Sequence, residues 1–121
     1  MATTTYRITT VTGSMEYAGT DSYVWINLYG DKANSGQRLL DNADNNFERG
    51  RTDNFSIEMR DLGDIKRIRV ENQYWGDAPG WFLKRVIVHN EDSDEEWVFP
   101  CERWLSRLDD DGEVVRILDP K

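Results

Sequence analysis

The stretch Tyr23-Val24-Trp25-Ile26-Asn27-Leu28-Tyr29 decides the fold class of this chain. Its aliphatic residues, Val24, Ile26 and Leu28, alternate with aromatic or polar ones, so one face of the segment is uniformly apolar. Successive side chains of a β-strand point to opposite faces, and a period of two is therefore the pattern of a half-buried strand. The segment is predicted to be a strand whose aliphatic face lies in a core.

The same alternation recurs along the chain in short runs separated by glycine, proline and polar turns, and no segment keeps a helical period. The predicted strands cover residues 6–11, 23–29, 37–40, 55–60, 67–71, 81–89, 96–101 and 114–118. Eight short strands without helices predict an all-β fold, an eight-stranded antiparallel β-sandwich. Pro100 cannot donate a backbone hydrogen bond, which indicates that its strand ends there or lies at a sheet edge.

Length and charge limit the function classes. The 121 residues fit one domain over 1–121, which is long enough to bury a core without disulfides or metal. A formal net charge of -8 argues against a nucleic acid partner, because that affinity rests on cations that neutralise phosphates. The same charge would be repelled by an anionic leaflet. Any membrane role therefore needs a bound cation or the insertion of apolar side chains.

Cysteine usage and the amino terminus indicate the compartment. Cys101 is the only cysteine, and residues 1–10 lack the basic start and apolar run of a signal peptide. No stretch approaches the ~20 apolar residues of a membrane span. We expect a cytoplasmic protein that is recruited to membranes peripherally.

Three predicted connections, residues 12–21, 40–50 and 74–81, combine oxygen-bearing side chains with glycine or proline and a large aromatic residue. Calcium takes ~6 to 8 oxygen ligands from carboxylates, amides, backbone carbonyls and water, and loops that meet at one end of a sandwich can supply them. Oxygen ligands beside large aromatic residues are what a calcium-dependent membrane-binding surface needs, but composition alone does not favour it over the alternative. The alternative is that these acidic and amide side chains are solvated turn formers that cap their own backbone.

Spacing excludes the EF-hand as the source of a calcium site. A loop begun at Asp44 continues through Asn46 and Glu48, but it places Arg49 where glycine is required and Phe55 where a bidentate glutamate belongs. A calcium site would have to be assembled from separate loops.

Six sequence blocks, in order, resemble the PLAT domain, also called the lipoxygenase-homology domain. They are Thr-Gly-Ser-x-x-Tyr-Ala-Gly-Thr-Asp at 12–21, Asn-Asn-Phe-Glu-Arg-Gly at 45–50, Gly-Asp-Ile at 63–65, Tyr-Trp at 74–75, Trp-Phe-Leu-Lys at 81–84 and Phe-Pro-Cys-x-Arg-Trp at 99–104. The resemblance is to the amino-terminal domain of animal lipoxygenases, with kin in polycystins, pancreatic lipases and bacterial alpha-toxin phospholipases. It covers residues 6 to about 118.

The resemblance implies a β-sandwich whose loops at one end bind calcium and present aromatic residues to lipid. The implied and predicted calcium ligands are Gly19, Thr20, Asp21, Asp44, Asn45, Asn46, Glu48 and Asp77. The predicted membrane-binding residues are Met15, Tyr17, Tyr74 and Trp75, with Trp75 as the principal anchor.

Three departures from the family pattern bear on calcium and lipid affinity. Asn46 replaces an acid, Ser22 stands where a second aspartate is common, and Glu16 occupies a position where a membrane-inserting tryptophan is common. Affinity in oxygen sites depends on ligand charge, so calcium binding is predicted to be weaker than the family pattern implies.

The predicted function is a non-catalytic, calcium-dependent peripheral membrane or lipid-binding module that targets itself or an attached protein to membranes. The alternative is a metal-independent interaction module that docks a catalytic or channel partner through Trp25 and Trp104. An enzyme is not expected, because His89 and Cys101 have no catalytic partners near them in sequence.

Five basic residues from two successive runs allow a further pair of interpretations. The five residues are Lys66, Arg67, Arg69, Lys84 and Arg85. They form either a solvated, ion-paired face or a phosphoinositide-binding patch.

Overall fold

The computed structural model describes residues 3–42, 44–73 and 80–121. Over these residues the chain forms eight strands and no helix. The strands are β1 (Thr3–Thr12), β2 (Tyr23–Gly30), β3 (Arg38–Leu39), β4 (Thr52–Arg60), β5 (Ile65–Gln73), β6 (Trp81–Asn90), β7 (Glu96–Leu105) and β8 (Val115–Leu118). Among the described segments, none is a helix long and apolar enough to cross a membrane.

The strands form two antiparallel sheets of four, which confirms the predicted all-β sandwich. The first sheet has the order β4-β1-β6-β7 and the second the order β3-β2-β5-β8. β7 is an edge strand and Pro100 on it is exposed, as the missing N–H of proline predicted.

The core lies between the sheets and is built from the alternating inner face of each strand. Val24, Ile26 and Leu28 are fully buried there, as their spacing predicted. Burying each such side chain stabilises the fold by about 1.5–3 kcal/mol. Tyr6 is buried opposite them, and its hydroxyl accepts a hydrogen bond from the Leu62 N–H at 3.0 Å. Burial raises the pKa of that hydroxyl, which therefore stays neutral.

Four connections cross from one sheet to the other at the same end of the sandwich, which we call the loop end. Loop 1 (13–22) joins β1 to β2, loop 2 (40–51) joins β3 to β4, loop 3 (74–80) joins β5 to β6 and loop 4 (106–114) joins β7 to β8. Each joins strands at matching positions in the two sheets, so the strand ends that the loops connect follow one another in the order loop 2, loop 1, loop 3, loop 4. Residues 74–79 of loop 3 lie outside the described residues.

The five basic residues do not form a single face. Lys66, Arg67 and Arg69 lie on β5 in the second sheet, whereas Lys84 and Arg85 lie on β6 in the first. The three cations on β5 lie 2.9, 3.9 and 2.9 Å from carboxylate oxygens. The geometry supports the ion-paired interpretation for β5, and a phosphoinositide patch made of all five residues is not formed.

Candidate functional site at the loop end

Loops 1 and 2 are joined by backbone hydrogen bonds. The Thr20 N–H donates to the Phe47 carbonyl at 3.0 Å, and the Gly50 N–H donates to the Gly13 carbonyl at 2.8 Å. Gly19 permits this approach, because a Cβ there would lie 2.9 Å from both the Arg49 nitrogen and the Phe47 oxygen. The glycine of the Gly-Thr-Asp block therefore brings two loops together, a role that its sequence did not disclose.

Phe47 anchors loop 2 in the core. Its ring is buried, stacked on Phe55 at 5.7 Å between centroids and edge-on to Trp81 at 5.1 Å. Its backbone has a φ of 63°, which is strained for a bulky residue and is maintained only where the surroundings hold it.

Asp53 also stabilises the turn of loop 2 at Phe47. Its buried side chain accepts a hydrogen bond from the Phe47 N–H at 2.8 Å, and Arg51 Nε lies 2.8 Å from the other carboxylate oxygen. The second contact is a close ion pair and not an aligned hydrogen bond, since that oxygen lacks a hydrogen-bond partner. Sequence reasoning missed Asp53 because an aspartate inside a strand carries no local signal of its contacts.

A cleft of about 160 Å³ opens between loops 1 and 2, which we call the first cleft. Five of the predicted calcium ligands line it: Thr20, Asp21, Asp44, Asn45 and Asn46. Their oxygens come from two loops that are distant in sequence, as an assembled calcium site requires. Ser22 and Asp41 also line the cleft and add a hydroxyl and a carboxylate.

Two buried oxygens in the wall of the first cleft have no hydrogen-bond partner within the described part of the chain. They are Ser22 Oγ, on a residue only 7% exposed, and Asn46 Oδ1. A buried polar atom without a partner is uncommon in folded proteins and calls for an explanation, such as a bound ion. Both atoms are hard oxygen acceptors, which fits calcium.

Three carboxylates, those of Asp21, Asp41 and Asp44, line the first cleft, but they are not clustered around one point. No group of three or more His, Cys, Asp or Glu side chains among the described residues is placed to hold a metal ion. Asp44 also lies 3.8 Å from the guanidinium of Arg51, which offsets part of its charge. A cation here would be held by dispersed carboxylates together with neutral oxygens, and its affinity would be correspondingly low.

A second cleft, of about 360 Å³, is also lined by residues of loops 1 and 2. Gly19, Thr20, Asp21 and Glu48 line it together with Tyr17. Thr20 and Asp21 therefore border both clefts, whereas Glu48 borders only the second and Asp44 only the first. The predicted ligand set is thus divided between two neighbouring spaces.

Loop 1 projects two of the predicted membrane-binding residues. Tyr17 is 79% exposed with a φ of 65°, and Met15 is also exposed. The predicted ligand Asp77 and the predicted lipid contacts Tyr74 and Trp75 lie outside the described residues.

The two residues with catalytic potential are far apart. His89 pairs with Glu96 across β6 and β7, and Cys101 lies five residues further along β7, roughly 16 Å away at ~3.3 Å per residue. Burial raises the pKa of the Cys101 thiol, which lowers its fraction of reactive thiolate.

A family model for the PLAT/LH2 domain matches residues 6–119. The chain belongs to the PLAT domain family. This confirms the resemblance carried by the six blocks, and the two-sheet architecture agrees with it. The PLAT domain is a non-catalytic accessory domain, which occurs here in relatives of different kinds.

Two relatives and one solved structure illustrate the range of this PLAT family. Mouse lipoxygenase homology domain-containing protein 1 is 44% identical over 120 residues, which are 95% of this chain and 6% of that protein. The mouse polycystin family receptor for egg jelly is 38% identical over 103 residues, covering 84% of this chain and 5% of the receptor. Coral 8R-lipoxygenase, described as activated by calcium via a C2-like domain, superposes with a TM-score of 0.81 at 32% identity.

The coral alignment covers 96% of this PLAT domain and 17% of the lipoxygenase. The chain thus spans a small part of each of these relatives.

Proposed function

We propose that this PLAT domain binds calcium in the first cleft and thereby docks reversibly on lipid through its loop end. The single observation that carries the proposal is the pair of buried, unpartnered oxygens of Ser22 and Asn46, two residues that line a cleft bordered by Asp21 and Asp44. The calcium activation described for coral 8R-lipoxygenase supports the choice of metal.

Calcium and lipid affinity are coupled in this proposal. Bound calcium offsets the negative charge of loops 1 and 2 and holds them in one arrangement, so that Tyr17 and Met15 are presented to the bilayer together. Trp75 remains the predicted principal anchor. By reciprocity, lipid should increase calcium affinity by the same factor.

The module acts as a targeting domain without catalysis of its own. The separation of His89 from Cys101 and the raised pKa of the thiol support this part of the proposal. We further propose a cytoplasmic location with recruitment to membranes, supported by the single cysteine.

Docking of a protein partner through Trp25 and Trp104 remains the alternative prediction. Trp25 is half-buried and its Nε1–H donates to Gln73 at 2.6 Å, while Trp104 packs edge-on against Phe82 at 5.4 Å between centroids. Both side chains are thus engaged within the domain, which favours the lipid proposal over this one.

Calcium should raise the free energy of unfolding by ~2.7 kcal/mol when present at a hundred times its dissociation constant. Calorimetric titration and thermal unfolding, each with calcium and with a chelator, measure this. Asp21→Asn and Asp44→Asn should each weaken binding, and Asp119→Asn, an exposed aspartate on the tail after β8, is the matched control.

Glu48→Gln distinguishes the two clefts. A weaker effect than that of Asp44→Asn is expected, because Glu48 borders only the second cleft. If Glu48→Gln weakened calcium binding more than Asp44→Asn, the calcium site would lie in the second cleft. Absence of both binding heat and any shift of the unfolding midpoint would exclude the calcium proposal.

A further inference from the structure

Loop 4 carries the most exposed large apolar side chain of the described residues, Leu108, at 92% exposure. A single exposed leucine is ordinary on a protein surface. The position of this leucine is not ordinary, because loop 4 stands at the same end of the sandwich as loop 1, which carries Tyr17 and Met15.

Loop 4 is held in shape by hydrogen bonds that leave Leu108 outside. Ser106 Oγ accepts from the Leu108 N–H at 3.2 Å and from the Asp109 N–H at 3.3 Å, and its hydroxyl donates to Asp109 Oδ2 at 2.9 Å. The Gly112 N–H closes the turn on the Asp109 carbonyl at 3.1 Å. Since Ser106 is buried, the loop is anchored at its base while Leu108 projects from it.

Two of the four acidic residues of loop 4, Asp110 and Asp111, turn back toward arginines on the flanking strands β7 and β8. Arg103 donates to Asp110 at 2.6 Å, and Arg116 donates to Asp111 at 2.7 and 2.8 Å. These hydrogen bonds hold the pKa of each carboxyl below its usual range, so both are ionised and paired. The charges of these two carboxylates near Leu108 are therefore compensated by arginines of the flanking strands.

Loop 4 and the first cleft lie at opposite ends of the row of crossings. The cleft is formed by loops 1 and 2, and loop 4 joins the far edge strands β7 and β8. None of the residues that hold loop 4 borders either cleft. Calcium is thus not needed to shape the loop.

We propose that Leu108 is a second lipid contact, which enters the interface of a zwitterionic phospholipid bilayer and fixes the orientation of the domain together with loop 1. This inference rests on the proposed lipid docking and extends it to a residue on the opposite side of the loop end. One projecting leucine is too small for a specific protein interface, which buries ~1,200 Å² or more, but it suits insertion between lipid head groups.

Leu108→Ser should lower the partition coefficient on phosphatidylcholine vesicles at saturating calcium by about tenfold, because a buried leucine contributes about that factor to an equilibrium constant. The calcium dissociation constant without vesicles and the unfolding midpoint should not change. Ile117→Ser, at an apolar residue 53% exposed on β8, is the matched control and should bind vesicles as the unmodified chain does.

A depth measurement gives an independent readout. A spin label on Leu108→Cys, in a Cys101→Ser background, should be shielded from an aqueous relaxation agent when vesicles and calcium are present. A label on Ile117→Cys in the same background should stay accessible.

The outcomes separate this inference from the proposed function. Calcium-dependent vesicle binding that is equal in the unmodified chain and Leu108→Ser would overturn the role of Leu108 alone. If the unmodified chain did not bind these vesicles with calcium, both proposals would be overturned.

Discussion

Trp81→Ala should lower the free energy of unfolding by about 3–5 kcal/mol, the range for removing a buried tryptophan from a core. Trp81 is fully buried, its Nε1–H donates to Thr12 Oγ1 at 2.9 Å, and its ring contacts that of Phe47. Because Phe47 holds loop 2 against loop 1, the cavity should also loosen the first cleft and weaken calcium binding. Urea unfolding and calorimetric calcium titration, at a temperature where the variant is folded, measure the two effects.

Trp97→Ala is the matched control for Trp81. Trp97 is half-buried on β7, and its Nε1–H donates to Asp64 at 2.8 Å, at the end of the sandwich away from the loops. The Trp97→Ala variant should lose less free energy of unfolding than Trp81→Ala, and its calcium affinity should not change. If Trp81→Ala does not fold, Trp81→Phe keeps a ring against Phe47, and it should fold with intermediate stability and calcium affinity. Unchanged calcium affinity in folded Trp81 variants would contradict the link between core and cleft.

Gly19→Ala should destabilise the domain by about 1–3 kcal/mol, the range for forcing an extra methyl group into a packed site. The new Cβ would lie 2.9 Å from two backbone atoms of loop 2, which cannot rotate away as a side chain would. Loops 1 and 2 should therefore separate, and calcium affinity should fall. Thermal unfolding with calcium and with a chelator measures both changes.

Gly36→Ala is the control for Gly19→Ala, because it adds a methyl group to a glycine that does not contact another loop. Gly36 has a φ of 72° and open space around its Cα, so alanine there introduces only backbone strain, of order 1 kcal/mol. The variant should keep the full calcium response. An equal loss of calcium response in both variants would show that Gly19 has no special role between the loops.

The strands could be predicted because buried and exposed residues alternate with a period of two along each strand of the sandwich. The predicted first strand was shorter than β1, because threonines replace apolar residues on part of its inner face. β1 begins at Thr3 and not at residue 6, and Thr4, Thr10 and Thr12 are buried on it. The prediction was also too short for β7, which continues past Pro100 to Leu105 because the register shifts between Leu83 and Arg85 on its partner strand.

The composition of loops 1 and 2 suggested oxygen ligands, but the division of those ligands between two clefts depends on the contact at Gly19. That contact follows from the three-dimensional crossing of the loops and has no signature in spacing. Leu108 was missed for a related reason. The acidic run after it carries no local signal of its partners, and the turn of Asp110 and Asp111 toward Arg103 and Arg116 becomes visible only when β7 and β8 are placed at matching edges.

Vesicle flotation tests the central claim of calcium-dependent lipid docking most directly. The unmodified chain and Asp21→Asn are floated with phosphatidylcholine vesicles, with calcium or chelator, at low and high salt. We predict that the unmodified chain floats only with calcium and does so at both salt concentrations, since apolar insertion is not screened, whereas Asp21→Asn floats weakly. Flotation that ignores calcium, or that requires anionic lipid and is lost at high salt, would contradict the account.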